Sequence, residues 1–364
     1  MKKITFFIGS LEEGGAERVL SYLTTYLVEK KYEILLVLYH DRELFYRLDP
    51  RVEVRFVTRE TKSRNPVKNL CWLRRCFKEN SAVVVSFLAI YNIFASLALA
   101  GTDVPLLVAD RNDPRFVPTN KMLRGLRNGC YRFADGVIVQ TQRNKQYFSR
   151  KIQDKSVVIY NPINLGSYYA CAKTTPKENT IVSVGRLMPQ KNQQMLIRVF
   201  AQLHQEFPEY KLIIYGEGPA RAELESLIDQ LGMTNHVSLP GSEKNVFPKI
   251  APAKLFVLSS NYEGMPNALA EAMCLGLPCI STAISGATDM IQSGENGLLV
   301  EPNNAEELKE AIRKVLTDSA FADRISAQAL NLYEKLDWSI IAKQWMDYIL
   351  SFCDRKENVT TDRR

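Results

Sequence analysis

Along the chain, short apolar runs rich in Val, Ile and Leu alternate with longer segments whose apolar positions recur at helical spacing. The first-half runs are Lys3–Ile8, Glu33–Leu38, Val83–Phe87, Leu106–Val108 and Gly136–Gln140, separated by helices such as Arg18–Lys30. Runs that are apolar throughout, rather than at every second position, predict strands buried on both faces of a parallel sheet. A further strand, Val157–Tyr160, runs into the turn signal Asn161-Pro162, and the polar stretch to about Asn179 reads as a linker. The alternation then restarts with Thr180–Val184, Lys211–Tyr215, Val237–Leu239, Leu255–Leu258 and Cys279–Ser281, with helices such as Asn192–Glu206 and Ala220–Leu231 following them. Helices Ala305–Thr317, Ala320–Tyr333 and Trp338–Phe352 close the pattern.

This is an α/β chain with two doubly wound, Rossmann-like domains, expected at 1–165 and 175–337. The last helix, about 338–353, is expected to return to the first domain, and residues 354–364 to form a disordered polar tail. Ligands of open α/β sheets bind outside the carboxyl ends of the strands, so the domains should face a central cleft. The stretch Ala82–Ala100 approaches the length of a membrane span. It is interrupted by Ser86, Asn92 and Ser96, and its Val83–Val85 core is β-branched, so a strand followed by a core helix from about Tyr91 fits better.

Composition adds a charge asymmetry. Of a net +7, residues 1–165 hold 27 Lys/Arg against 16 Asp/Glu and residues 166–364 hold 20 against 24, so the halves are +11 and −4. A basic excess confined to one domain points to an anionic surface or ligand facing it. The seven cysteines form no Cys-x-x-Cys pair and have no neighbouring His cluster, so neither a disulfide framework nor a zinc site is indicated.

Candidate chemistry falls at strand ends. Gly14-Gly15-Ala16-Glu17-Arg18 joins the first strand to its helix, and Gly185-Arg186-Leu187-Met188-Pro189-Gln190-Lys191 is the corresponding turn in the second domain. Arg186 and Lys191 can converge on one diphosphate, the guanidinium as a fork and the ammonium as a point charge, or can be two solvated surface cations. Gly216-Glu217-Gly218 and Pro240-Gly241-Ser242 repeat the glycine turn at the next strand ends. In the run 259–273, Glu263 and Glu271 flank Gly264-Met265-Pro266-Asn267-Ala268-Leu269, where Pro266 marks the expected first turn of a helix whose amides form an anion site. No Asp-x-Asp occurs, so the common metal-diphosphate ligand pattern is missing and fixed cations are left to hold the phosphates.

In these motifs the chain resembles the family 4 glycosyltransferases of GT-B fold. Glu263 and Glu271 match their E-x7-E signature, and the match continues through Gly14-Gly15, Val184-Gly185-Arg186-Leu187, Lys191-Asn192, Gly276-x-Pro278 and Asn296-Gly297-Leu298-Leu299-Val300. The resemblance implies a retaining transfer from a nucleotide sugar, expected to be UDP-linked, without a metal or cofactor. Arg186 and Lys191 would neutralise the leaving diphosphate, Glu263 would contact the transferred sugar and Glu271 the ribose. Gly15 and the backbone of Gly264–Asn267, continuing through Ala268 and Leu269, would close on the phosphates. The turns at Gly185, Gly216 and Gly241 would border the donor. Many relatives carry a first-domain His. None of His40, His204 and His236 matches its context, and Ala109-Asp110-Arg111-Asn112-Asp113-Pro114 resembles instead the Glu-Arg-Asn-Asp-Pro form of polysaccharide-assembly members. Gly14, Arg18, Asp110, Arg111 and Asn112 are therefore the first-domain, acceptor-side candidates.

Two segments bear on the acceptor. Lys121–Phe133 places Met122, Leu126, Cys130 and Phe133 at helical spacing beside Lys121, Arg124 and Arg127, and Val67–Phe77 combines Trp72 and Phe77 with Arg74 and Arg75. The first reads either as an ordinary helix packed on its sheet or as a docking face for anionic lipid heads. With the resemblance, this gives an expected partner, a polyprenyl-diphosphate-linked saccharide. The expected location is peripheral, on the cytoplasmic face of the inner membrane. Nucleic acid is not expected, because no recognised binding motif accompanies the moderate basic excess. A sugar-nucleotide epimerase or a phosphorylase-like enzyme on the same frame, or a non-catalytic partner subunit, are the other readings. A nicotinamide enzyme lacks its Gly-x-Gly-x-x-Gly.

Overall fold

The computed structural model describes residues 3–12, 14–166 and 176–353. Most of the expected linker and the expected tail 354–364 lie outside them. Two compact units result: Met1–Pro162 with Trp338–Arg364, and Ile163–Asp337.

The first unit holds seven strands: β1 Lys3–Ile8, β2 Ile34–Leu38, β3 Glu53–Phe56, β4 Ser81–Phe87, β5 Leu106–Ala109, β6 Gly136–Val139 and β7 Ser156–Val158. Their order is β3-β2-β1-β4-β5-β6-β7, with every neighbouring pair parallel. The strands are apolar on both sides because both sides are covered. Ile4, Phe6, Ile8, Val83, Val85 and Phe87 meet the helices Gly15–Glu29 and Trp338–Cys353, while Phe7 and Val84 meet Leu73 and Phe77 of Pro66–Asn80 and Ala95 of Ala89–Leu99. Trp345 of the last helix is wholly buried, its ring stacked on Phe87 at 5.4 Å.

The second unit holds β8 Glu178–Val184, β9 Lys211–Tyr215, β10 Val237–Gly241, β11 Ala253–Leu258, β12 Cys279–Thr282 and β13 Leu298–Val300, in the order β10-β9-β8-β11-β12-β13, again all parallel. Strands β3 and β13 were not anticipated. Each lies at a sheet edge: β3, Glu-Val-Arg-Phe, alternates polar and apolar positions, and β13, Leu-Leu-Val, is apolar but only three residues long, too short to stand out as a strand. Ala82–Ala100 resolves into β4 and the helix Ala89–Leu99, and among the described residues no helix is long and apolar enough to cross a membrane.

Candidate functional site

In the second unit the strand order turns outward from the neighbours β8 and β11. The segments leaving these two strands, 185–192 and 259–266, therefore meet at the carboxyl edge, the usual ligand position in such a sheet. They are stitched together by backbone and side chains. The Asn261 amide donates to the Gln190 carbonyl at 2.8 Å, Ser259 Oγ to the Lys191 carbonyl at 2.9 Å, and Gln190 Nε2 to the Tyr262 carbonyl at 2.8 Å.

This stitching fixes the candidate charges. Lys191 ends a single 3-10 turn, Pro189–Lys191, closed by Asn192 in the left-handed region, and its ammonium forms an ion pair with Glu263. Glu263 also accepts from Ser260 Oγ at 2.8 Å and from Gln190 Nε2 at 3.4 Å. Arg186 behaves differently. Its carbonyl is held by Gln193 Nε2 at 2.9 Å, yet its side chain is exposed and, among the described residues, makes no hydrogen bond or ion pair. A backbone so held under an unspent guanidinium suits a site for a multiply charged anion.

The glycines explain how the turns fit. A Cβ on Gly216 (φ +147°) would lie 2.0 Å from the Gly185 carbonyl oxygen, and one on Gly218 2.3 Å from that of Leu187. Backbone thus packs on backbone between the turns after β8 and β9. Hydrogen bonds from Leu187 N to the Glu217 carbonyl at 3.0 Å and from Gly216 N to the Gly241 carbonyl at 2.8 Å carry the arrangement on to β10. Gly185 makes room for the stem of Lys191, whose Cε would stand 3.1 Å from an added Cβ.

The helix begins at Asn267, one residue later than expected. Pro266 caps it in extended conformation, and the first intrahelical bond runs from Ala270 N to the Pro266 carbonyl at 3.2 Å. Gly264, Met265, Leu269 and Glu271 are buried, while Asn267 and Ala268 are half-exposed in the first turn. Gly286, which no strand-end motif marks, also shapes the site. A Cβ there would meet Gly264 O and Met265 Cα at 2.8 Å, so its bareness lets the helix Ser285–Met290 lie against the phosphate-loop candidate.

In the first unit Gly14 is extended and Gly15 opens the helix that includes Arg18, with the Tyr46 hydroxyl donating to the Gly14 carbonyl at 3.1 Å. Asp110 and Arg111 leave β5 and are enclosed rather than presented, and Asn112 is half-buried. Asp110 lies 3.7 Å from Arg127 and accepts from the Tyr131 hydroxyl at 3.1 Å, and burial pushes its carboxyl above the usual range against the pull of Arg127. Arg111 donates to Asn161 and lies 5.5 Å from the Trp345 ring centroid, while its Nε and Nη1 have no hydrogen-bond partner among the described residues.

Arg127, expected beside the apolar residues of its helix on a solvated face, is wholly buried and donates to the carbonyls of Val117 at 2.6 Å and Pro114 at 3.0 Å. The buried Asp110 requires a counter-charge, and Arg127 provides it. In Val67–Phe77, Phe77 is core and Arg74 caps carbonyls of Ala98 and Ala100, while Val67 and Arg75 stay exposed. A 260 Å³ cavity bounded by Arg55, Glu60, Trp72, Arg75, Cys76 and Glu79 mixes two cations with two acids. It has no net charge with which to recruit phosphate.

Known proteins decide the family. The model for "Glycosyltransferase Family 4" matches residues 13–167 and that for "Glycosyl transferases group 1" matches 172–332. A Campylobacter jejuni protein, "GalNAc-alpha-(1->4)-GalNAc-alpha-(1->3)-diNAcBac-PP-undecaprenol alpha-1,4-N-acetyl-D-galactosaminyltransferase", is 31% identical over 96% of this chain and 98% of its own. The chain belongs to the family 4 glycosyltransferases. A second C. jejuni relative of this glycosyltransferase, "N-acetylgalactosamine-N,N'-diacetylbacillosaminyl-diphospho-undecaprenol 4-alpha-N-acetylgalactosaminyltransferase", is 28% identical over 96% of this chain and all of its own. Among solved structures, Anabaena Alr3699/HepE in complex with UDP aligns with a TM-score of 0.81 at 21% identity, covering 96% of this chain and 100% of that one. The glycosyltransferase thus has the GT-B fold, with two parallel-sheet Rossmann-like domains.

Proposed function

We propose that this enzyme transfers a hexose or N-acetylhexosamine, with retention, from a UDP-sugar to a hydroxyl of a polyprenyl-diphosphate-linked saccharide, at the cytoplasmic face of the inner membrane. The observation that carries this reading is the exposed Arg186, unpaired among the described residues, on the same turn as Lys191 of the Lys191–Glu263 pair at the switch point of the second sheet. Both similar C. jejuni proteins are by name undecaprenol-linked N-acetylgalactosaminyltransferases, and the similar Anabaena structure holds UDP, which supports acceptor and donor class alike.

In this mechanism the diphosphate settles on Arg186 and on Lys191, which exchanges part of its contact with Glu263 for phosphate oxygens. Glu263, freed in part, accepts from hydroxyls of the transferred sugar, and Glu271 accepts from the ribose. The bond from the anomeric carbon to the phosphate oxygen breaks while that to the acceptor oxygen forms on the same face. The acceptor proton passes to the departing phosphate, whose charge the fixed cations take up without a metal.

The test is mass spectrometry of products from a panel of UDP- and GDP-sugars, each offered with a short-chain lipid-diphosphate saccharide in the presence of chelator. A single added hexose or N-acetylhexosamine from a UDP donor is expected. Donor consumption without acceptor, or complete loss of transfer on chelation, overturns the reading.

A further inference from the structure

The helix Lys121–Tyr131 is turned opposite to the way its composition suggests. Met122 is 83% exposed, Leu126 47% and Phe133, just past the helix end, 85%, whereas Arg127 is 0% exposed. Met122, Leu126 and Phe133 recur at i, i+4 and i+11, one side of a helix. Gly129 falls on the same side, and a Cβ added to it or to Gly125 would meet nothing within 4 Å. Phe116, in the loop held by Arg124 and Arg127, is also exposed.

This orientation is held in place. Arg127 is tied to Asp110 and to the carbonyls of Val117 and Pro114, and Tyr131 to Asn92 at 2.7 Å and to Asp110, so turning the apolar side inward would expel a buried ion pair. An apolar strip of this kind in water marks a contact surface. Its charge selects the occupant. Between Pro114 and Ala134 there are five cations and no acid, and Lys121 and Arg132 stand exposed along the strip. A second copy would bring the same cations face to face, whereas an anionic bilayer complements both the apolar strip and its basic border.

We propose that Lys121–Phe133 is the membrane-docking element of this enzyme, with Met122, Leu126 and Phe133 entering the interface of an anionic bilayer and Lys121 and Arg132 resting on its headgroups. This deepens the reading of a membrane-associated enzyme and rests on it. The same buried Arg127 joins the docked helix to the Asp110–Pro118 loop, so docking would also set the position of the acceptor-side loop.

The test is flotation of the full chain, without donor or acceptor, with vesicles of phosphatidylcholine alone or mixed with phosphatidylglycerol. The parent is expected to float with the mixed vesicles only. The double variant Met122→Ser/Phe133→Ser should lose roughly tenfold or more in vesicle affinity, and Lys121→Gln/Arg132→Gln about 25-fold at two headgroup cations. Both should keep the parent's melting temperature, since the four side chains lie outside the core. Equal flotation of parent and variants overturns the assignment of this face while leaving a membrane enzyme. A parent that floats with neither vesicle overturns the membrane reading itself. A dimer in light scattering that Met122→Ser/Phe133→Ser dissociates assigns the face to a second copy instead.

Discussion

After β5 in the first unit, Asp110, Arg111 and Arg127 are sealed from solvent: Asp110 pairs with Arg127, which also donates to carbonyls, and Arg111 donates to Asn161 and faces an aromatic ring. After β8 in the second unit, Arg186 is solvent-exposed and, among the described residues, unpaired, and the Lys191 ammonium pairs with an acid that a ligand can share. Charged residues that follow a strand thus do two kinds of work in the two units. Buried cations fix a loop, because removing either partner leaves a desolvated charge. An exposed cation on a fixed backbone stays available for a charge that arrives and leaves with turnover.

The sharpest way to break this contrast is Arg127→Ala. It should lower stability by about 3–5 kcal/mol by leaving Asp110 buried without its counter-charge, read as a fall in melting temperature; an unchanged melt would mean that the network is not structural. Arg186→Ala should leave the melt alone and reduce kcat by about 10²–10³-fold, on the scale of losing one preorganised donor to the leaving group, measured as donor turnover under saturating acceptor. A normal kcat would place the diphosphate elsewhere.

Gly216→Ala tests the close backbone packing that presents Arg186, and should cost roughly 1–3 kcal/mol of stability from its positive φ alone, with a parallel loss of donor binding by calorimetry. The smallest effect concerns pH. Burial holds the folded pKa of Asp110 above its unfolded value. Its neutral form therefore favours folding, a contribution complete below the unfolded pKa of about 3.9 and lost as pH rises through the folded value. The melting temperature of the parent relative to Asp110→Asn should fall from acidic toward neutral pH; a rise would show that the Arg127 pairing outweighs burial.

Much of the fold was legible in advance. The inner strands announced themselves because a parallel strand covered on both faces must be apolar at nearly every position, whereas β3 interleaves charged residues and β13 is an apolar run of only three residues. The run 259–273 was legible as well, because a turn between a buried strand and a helix needs particular residues at particular places. The one-residue slip at Pro266 reflects its extended backbone, which the residue type alone leaves open.

By itself the sequence determined the doubly wound architecture, the family and the turns at the strand ends, since each follows from local periodicity or local spacing. Only the tertiary structure decided that Lys191 meets Glu263, that Arg186 stays open while Arg127 is sealed, and that Met122 and Phe133 look outward. Those outcomes depend on what lies opposite in space, and a buried acid such as Asp110 can rotate a whole helix to obtain its counter-charge, a balance that no hydropathy pattern records.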